Sequence, residues 1–452
     1  MEYIIVFLDI ITYILVILSL RQLRVKTFFV LMGGYWCASL VISLFNPFDL
    51  YPVSPYVYAL VSMGYISCYI GYGLKIKKIR SFKIDSDQEK QLEDLFHSKF
   101  FLFTFFASLL LVGYLASTQW RVILLQGALG NIKLDFFELV FNNNSALYLL
   151  YQVLAFPLFH FSAILLSYTF IKGTYSKFSL LLLVYVLLFC FLGGKRGYFA
   201  TAFEYFIIVS VFSVLISNNR KKGELRALGK KIGIVLLVVL IGAAYMTALS
   251  GGVEYDKNRI QESNGKNVEN MIIYNVGAYR AFEYALNNDY LGKAGGYQLG
   301  RASFGGFIDY YGAPIIAKLG IPIQRVSDST MKQLQDNEIS VGKDRNFNFI
   351  YTSFMYFYFD FGILGIIVIS FLFGRFLRYC VELSVIDNTL ASFSLVCYLF
   401  ISCLLFGGSW FLVGLSAQPI LLYFYMLRRK QINYYKKIFK KHYISKERVH
   451  DK

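Results

Sequence analysis

The chain of 452 residues is 57% hydrophobic and only 16% charged, with a net charge of +17 and a mean hydropathy of +0.52. Soluble proteins carry about 25% charged residues, so an ordinary soluble globule is excluded. So is a disordered chain, which lacks this much apolar side chain.

The apolar residues fall into runs of roughly 17 to 25, the length a helix needs to cross about 30 Å of hydrocarbon. The expected fold class is therefore an all-α polytopic membrane protein. The first run, 3–20, has no basic segment before it and no small-residue cleavage site after it, and reads as a retained helix, not a signal peptide. Further spans are expected at 27–45, 55–74, 100–118, 145–171, 178–194, 198–217, 232–250, 350–374, 389–407 and 410–427, about eleven transmembrane helices in all. Gly407-Gly408 is either a tight outer turn or a kink in one long element. This divides the chain into helices over 1–250, a large loop over 251–349, three more helices over 350–427 and a basic tail over 428–452. No internal repeat is present.

Orientation follows from Lys and Arg in short loops. One alternate set of loops, with the tail, carries 30 of these residues and the other set 15. The first set is expected inside, which puts the N-terminus outside and the C-terminus inside. The tail from Arg428 to Lys441 then lies on anionic lipid, which is preferred over nucleic-acid binding. The six cysteines all sit within or beside apolar runs and show no CxxC spacing, so neither a zinc site nor a disulfide framework is expected.

The loop 251–349 carries eleven basic and eleven acidic residues and no Cys or His. Asn267 caps an expected helix whose apolar positions Val268, Ile272, Val276, Tyr279, Phe282 and Leu286 recur at spacings of 3 and 4, with Gly292 as its stop. A Gly-rich stretch, 292–306, follows. The loop reads as a small helical cap lying on the membrane.

Candidate site residues are the cations of the outer face and the acids within spans. Gly193-Gly194-Lys195-Arg196-Gly197 breaks the positive-inside trend. Two cations flanked by glycines suit a phosphate at headgroup depth; the competing reading is a snorkelling anchor. Arg280 and Arg301 stand beside aromatics or glycine, where a guanidinium grips phosphate bidentately. The competing reading for Arg280 is an ion pair with Glu283 on a solvated helix face. Arg325 and Arg345 fit the solvated reading better. Asp9, Glu204, Asp360 and His160 are ionisable residues inside spans, hence functional candidates. For Asp9, His160 and Asp360 a hydrogen-bonded strut is preferred. Asp85-Ser86-Asp87 has a metal-binding form but lies in a loop too short for a nucleotide-binding domain. No metal cluster and no cofactor is expected.

At Gly193–Gly197, the long outer loop, and Asn348-Phe349-Ile350-Tyr351-Thr352 running into Asp360-Phe361-Gly362-Ile363-Leu364-Gly365, the chain resembles Wzy-type oligosaccharide repeat-unit polymerases, the O-antigen polymerases. The resemblance covers most of the chain as architecture. It implies a GT-C-like fold in a bacterial cytoplasmic (inner) membrane, with a large helical periplasmic loop. It also implies a glycosyltransferase that moves glycan from one undecaprenyl-pyrophosphate carrier to the repeat unit on another, building a surface polysaccharide such as the O-antigen of lipopolysaccharide. Expected partners are these lipid-linked oligosaccharides, membrane lipids and a chain-length regulator. Arg196, Arg280 and Arg301 match the family's outer arginines that serve pyrophosphate and glycan. Lys195, Glu204, Glu283, Arg325, Arg345, Tyr351 and Asp360 are expected at the substrate. The chain departs from related lipid-linked glycan ligases in lacking a His in any outer loop. The acceptor hydroxyl then needs another partner or none; a carboxylate can orient it, with Asp309 the first choice and Glu283 the second. The alternatives are a lipid-linked oligosaccharide flippase or an O-antigen-ligase-like transferase.

Overall fold

The computed structural model describes residues 1–76, 84, 88–126, 136–174, 177–192, 196–216, 233, 267–320, 339–343, 345–347 and 352–450. Nearly all of them are helical. In chain order the principal helices are α1 (Glu2–Ser19), α2 (Leu23–Leu44), α3 (Pro55–Gly73), α4 (Gln88–Phe96), α5 (Lys99–Gln126), α6 (Ser145–Lys172), α7 (Lys177–Phe191), α8 (Arg196–Ile216), α9 (Asn267–Asn287), α10 (Ser353–Asp387), α11 (Leu390–Leu404) and α12 (Ala417–His450).

Among the described residues, five helices are long and apolar enough to cross a membrane: α1, α2, α5, α6 and α10. Shorter apolar helices occupy Lys177–Phe191, Gly197–Ser213 and Leu390–Leu404. In its described parts the chain is all-α apart from one small hairpin, an architecture compatible with an all-α membrane protein. All of the expected span 232–250 but Gly233 lies outside the described residues.

Local chemistry explains several boundaries. The Ser54 side chain accepts from the Val57 amide and Pro55 opens α3, a residue whose missing N–H costs nothing at that position. Asn144 caps α6 through the Leu147 amide at 3.0 Å, and Gly173 closes it at φ +76. Within α6 a π turn at Tyr151–Ala155 frees a carbonyl, and the Tyr185 hydroxyl donates to Ala155 O at 2.9 Å.

The chain forms two compact units. The first comprises Met1–Ile79, Gln261–Glu382 and Leu399–Gln418. There α1 lies along α3 and α2, and α9 packs on α2 and α3. Its core is aromatic: the Trp36 and Tyr65 rings stack at 5.0 Å, and Phe354 meets Tyr65 edge-on at 4.9 Å. Glycines let α3 and α10 approach closely. A Cβ at Gly71 would fall 2.2 Å from Phe371 O, and one at Gly374 2.1 Å from Cys68 O.

The second unit comprises Arg80–Ile260, Leu383–Tyr398 and Pro419–Lys452. Here α6 packs on α7 and α8, and α5 on α7. Buried Asp387 pairs with Arg428 at 2.5 Å and also accepts from Ser392 Oγ at 3.0 Å. His160 is the expected strut, bonded through Nδ1 to the Tyr205 hydroxyl at 2.7 Å.

Four local expectations need correction. The helix begun at Asn267 ends at Asn287, not Gly292, because Asp289 turns left-handed at φ +48 and caps the next turn, Tyr290–Lys293. Residues 389–427 divide at an irregular stretch between Leu404 and Ala417. The expected last span and the tail form the single helix α12. An antiparallel hairpin, β1 (Ile339–Gly342) with β2 (Arg345–Phe347), was not foreseen in an all-helical reading.

Candidate functional site

Within the first unit, the apolar run of α10 is not one regular helix. Phe361 (φ −144, ψ 19) and Gly362 (φ +63, ψ −145) leave helical geometry. A break of this kind frees backbone groups, which inside a membrane must find partners in the protein. The partners come from the Gly-rich stretch 292–306. The Gln298 amide donates to Phe359 O at 2.9 Å and the Leu299 amide to Asp360 O at 3.3 Å.

Asp360 completes the junction. Its side chain is fully buried. The Ala302 amide donates to Oδ1 at 2.9 Å and the Ser303 amide to Oδ2 at 2.8 Å. The strut reading of Asp360 describes these bonds, with a backbone segment as the partner. That segment carries Arg301, half-buried, whose amide donates to Gln298 O at 3.1 Å. Trp410 holds the other side, its indole N–H donating to Ser303 O at 2.7 Å. A Cβ at Gly306 would meet Gly414 O at 2.6 Å, so the backbones of the two segments touch. Arg301 therefore sits on a segment fixed at three sides.

The same segment exposes apolar side chains. Tyr297, Leu299, Phe304 and Phe307 are all exposed on the protein surface. In water such a cluster would be a liability; beside a membrane it is an anchor. Residues 308–312 continue as a π turn, which contains Asp309. The Asp309 side chain lies outside the described residues.

Arg280 lies elsewhere in the first unit and does other work. It is 4% exposed, on a helix whose residues 276–282 are all buried. Nε donates to Tyr51 O at 2.6 Å. One terminal nitrogen donates to Ser43 Oγ (3.1 Å) and Val276 O (2.9 Å), the other to Ser43 O (3.2 Å) and Asn46 Oδ1 (2.8 Å). All five N–H groups of the guanidinium are engaged by neutral oxygens. Burial pulls this guanidinium below its usual range, and the neighbouring Tyr58 and Glu283 counter that shift. The expected ion pair with Glu283 does not form. The Glu283 carboxylate instead accepts from the Ser54 amide, at 3.2 Å to each oxygen. Helix α9 is clasped among α2, α3 and the hairpin, and is not a solvated amphipathic surface.

The remaining candidates are scattered or undescribed. Arg196 opens α8 and Glu204 stands exposed on it. Arg345 begins β2. Lys195, Arg325 and Tyr351, and the side chains of Arg196 and Arg345, lie outside the described residues. Asp9 is a buried strut, taking a 3.5 Å bond from the Tyr69 hydroxyl. Among the described residues no group of three or more His, Cys, Asp or Glu side chains is placed to hold a metal. Sequence reasoning missed Gln298, Ser303 and Trp410, which act through backbone groups and an indole N–H. The available signal was Gly362 and Gly365 inside an apolar run that also holds an Asp. Comparison with protein-family models, with curated proteins and with solved structures found no match to this chain.

Proposed function

We propose that this chain is a multi-pass glycosyltransferase of the lipid-linked oligosaccharide polymerase class in a bacterial cytoplasmic membrane. In this reading about eleven helices span the bilayer in a GT-C-like arrangement, with the N-terminus and 251–349 outside and the tail inside. The observation that carries it is the clamp of Asp360 on the backbone beside Arg301. It fixes a cation next to exposed apolar side chains. With Ser353 at the outer surface, the break at Phe361 lies eight residues in, about 12 Å at 1.5 Å per residue.

The chemistry is a substitution at the anomeric carbon of the donor glycan. The acceptor hydroxyl forms the new C–O bond, and the bond to the carrier pyrophosphate breaks. The pyrophosphate leaves with the electron pair, its growing charge met by Arg301; Arg196, in the other unit, is a separate candidate for a carrier phosphate. Asp309 takes up the hydroxyl proton. Arg280, with every donor occupied, positions α9. Lys195, Glu204, Glu283, Arg325, Arg345 and Tyr351 are the further candidates for glycan or carrier contact.

Purified protein in liposomes, given undecaprenyl-pyrophosphate-linked repeat units, should lengthen them. Arg196→Lys and Arg301→Lys keep charge but lose the bidentate fork, and each should slow turnover about 10²–10³-fold. Cells with these variants should show surface glycans of one repeat unit and no ladder. Single repeats trapped on the cytoplasmic side would instead identify a flippase. Near-normal ladders from Arg196→Ala and Arg301→Ala combined would reject the site.

A further inference from the structure

A second site belongs to the other unit. Between the α4–α5 turn and the basic half of α12 lies a cleft of about 650 Å³. Its walls carry Lys99, Lys430, Lys436 and Lys437 against a single acid, Asp94. Asp94 is already engaged by hydroxyls, from Tyr435 at 2.6 Å and Tyr434 at 3.3 Å. Among the described residues, Lys99, Lys430 and Lys437 form no ion pair; the Lys430 ammonium lies 5.7 Å from the centre of the Phe100 ring. Four cations thus face a space that holds no free carboxylate.

Two further features point the same way. The first is Gln431, which lines the cleft and is more than nine-tenths buried. Its Oε1 accepts from the Ala391 amide at 3.2 Å, which fixes the orientation of the side-chain amide. Its Nε2 is buried with no partner. An orphaned buried donor costs free energy unless something supplies an acceptor. The second is the start of α5. The Leu102 amide bonds to Ser98 O, which places Ser98 at the helix cap, and the amides of Lys99, Phe100 and Phe101 before it have no helical acceptor. They add the positive end of a 28-residue helix to the same wall.

A concave site rich in donors and cations, with its one acid engaged by two tyrosine hydroxyls, selects for an anion with several acceptor oxygens. We propose that this cleft binds a phosphate-bearing anion, held by Lys99, Lys430 and Lys437, with Gln431 Nε2 and the first amides of α5 donating to its oxygens. The volume is that of an ordinary small-molecule site and admits one phosphodiester headgroup or one soluble phosphate compound. The inference is independent of the glycosyltransferase reading, because no residue is shared with that site.

The test uses the full chain in nanodiscs. In one arm the lipid is phosphatidylcholine with or without phosphatidylglycerol, and native mass spectrometry counts the retained phosphatidylglycerol. In the other the lipid is phosphatidylcholine alone, and calorimetry measures binding of inorganic pyrophosphate. Binding in either arm supports the site and names the source of its phosphate. Gln431→Glu keeps the acceptor for Ala391 and turns the orphan donor into a repelling oxygen; it should weaken that binding about ten- to a hundredfold. Lys430→Gln with Lys437→Gln should weaken it comparably. Lys172→Gln with Lys177→Gln, exposed on the same unit but not part of the cleft's lining, should leave it unchanged. Equal losses in this control pair, or wild-type binding by folded Gln431→Glu, or no binding in either arm, would overturn the proposal. Unchanged thermal unfolding identifies variants that remain folded, and the lysine pair decides if Gln431→Glu does not.

Discussion

Replacing Asp360 by Asn tests the clamp that fixes Arg301. The two side chains have the same shape, so no cavity opens. What changes is hydrogen bonding: Asp360 offers one oxygen to each of the Ala302 and Ser303 amides, whereas Asn offers one oxygen and one donating NH₂. One bond to a charged acceptor is lost, worth about 1.5–3 kcal/mol, and a donor is left facing a buried donor. A loss of about 2–3 kcal/mol raises the open population of the segment about 30- to 150-fold. Trypsin reads this directly, because cleavage after Arg301 requires the segment to leave its place. Under conditions where opening equilibrates faster than cleavage, the rate at which the peptide ending at Arg301 appears should rise by that factor. Asp360→Glu, which keeps the charge but is one methylene too long, should lie between the two. If Asp360→Asn is cleaved after Arg301 at the wild-type rate, the carboxylate does not hold the segment and the site loses its positioning residue.

The other expectations are simpler to check. Gly362→Ala forces a side chain onto φ +63, ψ −145, and its Cβ would lie 3.0 Å from the Tyr297 hydroxyl; a cost of about 1–3 kcal/mol should appear as faster cleavage after Arg301. Arg280→Met strips five donors from a buried cluster and should cost at least about 3 kcal/mol, seen as a fall in thermal inactivation temperature that Arg280→Lys recovers in part. In a chain whose six native cysteines are replaced, single cysteines at Lys293 and Lys437, both exposed, should differ on intact spheroplasts. An impermeant thiol reagent should label the first and spare the second, and equal labelling would reject the proposed orientation.

Hydropathy made most of the helices legible, because a run of apolar residues long enough to cross a bilayer has few other structures open to it. The interior of a run was less legible. Asp360-Phe361-Gly362 sits inside residues that read as one span, and only the return of a distant segment shows that the helix is interrupted there. The setting of helix α9 was hard to read for a related reason. The 3-and-4 spacing from Val268 to Leu286 correctly marked a helix, but periodicity cannot tell a helix lying on a membrane from one clasped by α2 and α3. Arg280 shows the difference. A lone cation beside aromatics suggests a phosphate grip, yet its donors are taken by carbonyls of Ser43, Tyr51 and Val276, and backbone acceptors leave no trace in side-chain identity. Arg301 was singled out for its glycine neighbour, and Gly300 does turn the chain there, at φ +94.

The interrupted helix also constrains how the protein is made. Residues 298–303 leave the ribosome some fifty residues before α10, so they are already waiting when that helix reaches the bilayer. Entering alone, α10 would carry into hydrocarbon two carbonyls and a carboxylate that its own turns do not satisfy, each costing several kcal/mol. In the proposed orientation, lateral entry of α10 is therefore coupled to docking of a segment that has already crossed. Insertion of this part of the chain is a joint event of two pieces, and a delay in translocating the first would stall integration of the second.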